Sequence, residues 1–149
     1  MEFKRMPALK PLCYLMRIQP DSLTKEENTL LEIELFTRIH EELKEIFKQQ
    51  YKEYFRLLKF TLEKEDTMIE TKCMRLIIQD ILSTNEYDLN GIAYYTNTHE
   101  EVIQEIYMEQ NTNPSSILLR KIIELHRVVR HDLYLQIAKK IASKYLSVA

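Results

Sequence analysis

A single glycine, Gly91, stands in this chain of 149 residues. Tight antiparallel hairpins normally need Gly or Asn-Gly at their turns, where the backbone must reach positive φ. The one Asn-Gly pair, Asn90-Gly91, is followed by a helical pattern and reads as the first turn of a helix. Proline occurs four times, and Pro7, Pro11 and Pro20 all fall in the first twenty residues. So few breakers over the remaining length predict an all-α fold. Hydrophobic residues at 45% and charged residues at 30% suit a soluble globular domain, long enough for one core and an appended arm.

Residues 1–20 read as irregular or short-helical. Thr24 with Glu27 three positions on then makes a capping box, and neither Gly nor Pro occurs again until beyond residue 64. Leu31, Leu35, Ile39, Leu43, Ile46, Phe47, Tyr51, Tyr54, Leu58 and Leu62 recur mostly at steps of three and four, one face of a helix. Such a helix would be about 60 Å long at 1.5 Å per residue, more than a small domain covers. The expected occupant of its surplus face is a second copy, with Leu35, Ile39, Leu43, Phe47, Tyr54 and Leu58 at a homodimer interface. On this reading residues 1–66 form a dimerisation arm and long helix, and residues 67–149 a second domain ending in a basic helix. The same long helix carries Lys44, Lys48, Lys52 and Arg56 at i, i+4 spacing. That stripe is either a solvated face or a surface for phosphates or an acidic partner.

Net charge is −2, but its distribution is uneven. Residues 86–119 hold six acids and no Lys or Arg, whereas residues 120–149 hold seven basic side chains and two acids. Within this region the spacing predicts helices over about 71–83, 89–96, 99–109, 115–129 and 131–146. Asp88 is placed to cap the second of these. Asn97 tolerates the left-handed conformation that ends a helix abruptly. Thr98 with Glu101 reads as a capping box that opens the next helix at once. Two helices joined by so short a turn cross steeply, so Ile92 and Ala93 meet Ile103 and Ile106.

The segment over about residues 72–127 resembles the repressor/Cro-type (Xre-like) helix-turn-helix family. The resemblance lies in Ile92-Ala93, the turn, Ile103 and Ile106, then Asn113-Pro114-Ser115 leading to Leu118, Ile122 and Leu125. It implies a compact helix-turn-helix bundle in which the helix at about 99–109 enters the major groove of double-stranded DNA. Carried over residue by residue, the implied base contacts are His99, Glu100 and Gln104, with Thr98 at the helix start and Asn90 beside the place of a usual Gln. Asn111 and Asn113 fall where that family's loop approaches a phosphate. Arg120 and Lys121 are the nearest basic groups for the backbone. The implied function is a sequence-specific, homodimeric transcriptional regulator. The departure from the family is the helix itself, which carries Glu100, Glu101, Glu105 and Glu109 and no basic residue. That acidity supports a second expectation, a protein-binding adaptor on the same fold.

Nothing in the sequence forms a catalytic set, so no enzyme activity and no cofactor are expected. The histidines are scattered. His126 and His131 lie five apart, off one helical face, and read as surface residues rather than a metal pair. Cys13 and Cys73 are too few for a disulfide framework and read as reduced thiols. No apolar run reaches the ~20 residues of a membrane span, and prolines and charges interrupt any leader peptide, so a cytoplasmic protein is expected.

Overall fold

Thr24 opens the first helix as a reciprocal cap. Its N–H donates to Glu27 Oε1 at 3.0 Å while Glu27 N–H donates back to Thr24 Oγ1 at 3.1 Å. The structure, a computed structural model, describes residues 23–111 and 113–148. The stretch 1–20, with Cys13, lies outside the described residues. Among those described there are seven α-helices and no strand: α1 (Lys25–Gln50), α2 (Lys52–Leu57), α3 (Leu62–Ser83), α4 (Leu89–Tyr95), α5 (Glu100–Tyr107), α6 (Ser116–Val129) and α7 (His131–Val148). The all-α fold with a long N-terminal helix is as the sequence predicts.

The length of that helix is not. The expected rod over 24–64 is three elements, α1, α2 and the start of α3. Lys59 takes φ 55, Phe60 N–H donates to Phe55 O at 3.0 Å, and Lys59 N–H donates to Arg56 O at 3.1 Å. This pair of bonds is a Schellman closure, here without glycine. The usual apolar contact across such a closure is present as Phe55 stacked on Phe60 at 5.7 Å, with Phe55 fully buried. Thr61 then caps α3, its Oγ1 accepting from Lys64 N–H. The helix predicted at 71–83 therefore begins nine residues earlier, at Leu62.

The chain divides into two units: residues up to Glu42 together with those from Arg130 onward, and Leu43–Val129. In the second unit α3 is central, burying Ile69, Cys73, Met74, Leu76, Ile77, Ile78 and Ile81. It packs against α5 and most extensively against α6, which contributes Leu118, Ile122, Ile123 and Leu125. Each such side chain removed from water is worth about 1.5–3 kcal/mol. The last turns of α1 join α3 through Lys44–Glu70 and Lys48–Asp66, each 2.7 Å. In the first unit Leu35 and Ile39 of α1 are buried, as are Tyr134, Ile137, Ala138, Ile141 and Ala142 of α7. Glu42 binds Lys140 at 2.7 Å and Lys144 at 2.6 Å.

Four of the six residues expected at a homodimer interface are covered within the chain. Leu35, Ile39, Leu43 and Phe47 are at most 4% exposed within a single chain, so that face offers a partner no surface. The corner at Lys59 turns the chain back so that α3 runs beside the last turns of α1, where Leu43 and Phe47 lie. Only Tyr54 and Leu58 of the six stay exposed. Of the basic stripe, Lys44, Lys48 and Arg56 reach Glu70, Asp66 and Glu53, while Lys52 is exposed.

Candidate nucleic-acid interface

Asp88 caps α4, accepting from Gly91 N–H at 2.7 Å. The glycine allows a close approach and does not serve a positive φ. A Cβ there would lie 3.2 Å from both Asp88 Oδ1 and Tyr87 Cδ1. At the far end of α4, Asn97 takes φ 51. Its N–H donates to Tyr94 O at 3.2 Å, and Thr98 N–H donates to Ala93 O at 2.9 Å. The helix thus ends in the same closure as α2. Thr96 beneath the turn is 1% exposed, its hydroxyl donating to Ile92 O at 2.8 Å.

The next helix starts differently from the expectation. His99 is the N-cap of α5 and makes no side-chain cap bond. Thr98 does not pair with Glu101, because its hydroxyl turns back to donate to Thr96 O at 3.1 Å. The tight turn already uses the threonine, so α5 begins one residue late.

α4 and α5 pack on each other, with Ile92, Ala93, Ile103 and Ile106 buried. The opposite face of α5 is open: Glu100, Glu101, Gln104 and Glu105 are exposed, as are His99 before it and Asn90 on α4. Gln104 Nε2 donates to Glu100 Oε1 at 3.3 Å. Thr98 is half-buried. In the loop after α5, Asn111 Oδ1 accepts from Asn113 N–H at 3.1 Å, so Asn111 shapes the turn while the Asn113 side chain is exposed. Ser115 Oγ accepts from Leu118 N–H at 3.1 Å and sets the start of α6. Arg120 and Lys121 sit half-buried on α6.

Past the end of α5 the charges are paired. Glu109, just past α5, is 2.8 Å from Lys72 Nζ and 3.5 Å from Arg75 Nε. The hydrogen bond from Lys72, then the charges of Lys72 and Arg75, hold its carboxyl below the usual carboxylate range. In the other unit, Lys140 and Lys144 of the basic tail are held by Glu42. In the Leu43–Val129 unit the basic side chains of α6 are Arg120, Lys121 and Arg127.

Two groups escaped the sequence reading. His126 is not a surface residue but wholly buried, with Nε2 2.6 Å from Asp80 Oδ2 of α3. Its place on the inner face of α6, one step from Leu125, was a usable signal. The Lys72–Glu109–Arg75 cluster joins residues 37 positions apart, and no local pattern announces it. Among the described residues no three His, Cys, Asp or Glu side chains gather to hold a metal ion, and no helix is long and apolar enough to cross a membrane.

Compared with protein-family models, curated proteins and solved structures, the chain matches none.

Proposed function

We propose that this chain is a sequence-specific, double-stranded DNA-binding transcriptional regulator of the repressor/Cro (Xre-like) type, acting as a homodimer. The observation that carries the proposal is the α4–α5 corner. Asn97 in the left-handed region closes α4, the inward Ile103 and Ile106 anchor α5, and the outer face of α5 stays open. A helix held in this way enters a major groove without rearranging the core. Gln104 then reads adenine and Glu100 accepts from a cytosine amino group, with His99, Thr98 and Asn90 at the edge of the contact. Asn111 and Asn113 lie toward the phosphates, and Arg120 and Lys121 neutralise them. No catalytic role or cofactor enters this reading. The dimer contact moves to the exposed apolar corner between α2 and α3, where Tyr54, Leu57, Leu58 and Leu62 face outward.

Polarisation of a labelled duplex at low salt tests the proposal. Binding that disappears in Arg120→Glu/Lys121→Glu is the expected result. Failure of the wild-type chain to bind any duplex at low salt refutes it.

One observation favours a second reading. The open face of α5 holds Glu100, Glu101 and Glu105 and no cation, which suits a basic protein partner. In that case Glu101→Lys/Glu105→Lys abolishes partner binding, whereas Arg120→Glu/Lys121→Glu leaves it intact.

A further inference from the structure

Beside α3, on the side of α2, the Leu43–Val129 unit contains a cleft of about 340 Å³. Its apolar lining includes Tyr54, Phe55, Met68, Ile69 and Leu76, while Lys72 and Arg75 supply two cations. Small-molecule sites have this composition: a mostly apolar hollow of a few hundred Å³ with a few placed polar groups. The two cations already hold a carboxylate, that of Glu109.

We infer that this cleft binds a small amphipathic carboxylate, an aromatic or acyl acid, whose carboxylate replaces Glu109 between Lys72 and Arg75 and whose apolar body lies against Tyr54, Met68 and Leu76. Three features support it. First, the receptor is built without Glu109. Arg75 Nε donates to Tyr107 O at 2.9 Å, Arg75 Nη1 donates to Gln79 Oε1 at 3.3 Å, and the guanidinium lies 5.2 Å from the centre of the Tyr107 ring. A guanidinium fixed in this way keeps its orientation when its carboxylate partner changes. Second, Glu109 is easily displaced. Its side chain is 44% exposed, and it reaches the cations from a residue at φ 62 beyond the end of α5. Third, the wall can adapt: Met68 is half-buried, and a thioether chain repacks around differing shapes. Glu109 thus acts as a tethered stand-in for the ligand's acid group. In the DNA-binding reading, on which this one consequence alone rests, displacing Glu109 loosens the end of the groove-reading helix and makes the cleft an effector site.

Calorimetric titration of the full chain with 1-naphthaleneacetate, and with 1-naphthaleneacetamide as its uncharged counterpart, tests the site without any DNA. The acid is expected to bind and the amide to bind at least about tenfold more weakly. Glu109→Gln, which removes the internal competitor, tightens the acid several-fold. Lys72→Met and Met68→Glu each weaken it about tenfold or more. A purely structural cluster does not produce the tightening in Glu109→Gln. That surface variant keeps the test decisive even if Lys72→Met fails to fold. The inference is overturned if the acid produces no binding at millimolar concentration in either wild type or Glu109→Gln. Equal affinity for the amide also overturns it.

Discussion

Lys59, Asn97 and Glu109 each end a helix in the left-handed region, at φ 55, 51 and 62. The chain does with ordinary side chains what most proteins assign to glycine, and each position carries conformational strain. Lys59→Gly is therefore expected to raise stability by about 1 kcal/mol, and Asn97→Gly by roughly half that, because asparagine already tolerates the conformation. Asn97→Val is expected to lower it by about 1–2 kcal/mol. Urea denaturation of the three variants measures all of these. The helix stop at Asn97 was legible in the sequence because asparagine is a known exception. Those at Lys59 and Glu109 were not, since nothing in a lysine or a glutamate marks them. The break at Lys59 is stabilised by Phe55 meeting Phe60.

At the scale of elements, ion pairs link helices distant in sequence. Burial pushes the Glu42 carboxyl up, but Lys140 and Lys144 together outweigh it and leave the pKa lowered. A carboxylate with a lowered folded pKa contributes stability that is complete above its ordinary value of 4.5 and is lost as pH falls through the folded value. Glu42→Gln is therefore expected to cost about 1–2 kcal/mol at neutral pH, a modest figure because both lysines are largely exposed. In acid the gap between variant and wild type should close. Denaturant melts near neutral pH and near pH 3 check both halves. Between α3 and α6, His126→Ala leaves Asp80 without its imidazole and opens a cavity at a fully buried position. The expected loss is about 2–4 kcal/mol, read from the same melts. His126 looked like a surface residue in sequence because its partner Asp80 lies 46 positions away.

At the scale of the whole molecule, the apolar residues left outside set the remaining expectations. Leu35, Ile39, Leu43 and Phe47 are covered by their own chain, and the dimer as proposed uses Leu57, Leu58 and Leu62. Leu57→Glu/Leu62→Glu should then yield a monomer by light scattering at micromolar concentration with little loss of thermal stability. A wild-type chain that is already monomeric there removes the dimer from the proposal. On the proposed DNA-binding function, affinity for a duplex is expected to fall with log salt at a slope of about −0.9 per phosphate neutralised, and losing Arg120 and Lys121 to flatten it by about 2. The helical fold, the capped start at Thr24, the Asp88 cap and the inward Ile92, Ala93, Ile103 and Ile106 depend on neighbours within a few residues, so the sequence alone determined them. Where α1 ends, which of its faces is covered, and how Lys72, Arg75 and Glu109 meet beside an apolar cleft depend on contacts between distant residues. Those contacts exist only once the helices have packed, and so the tertiary structure alone decided them.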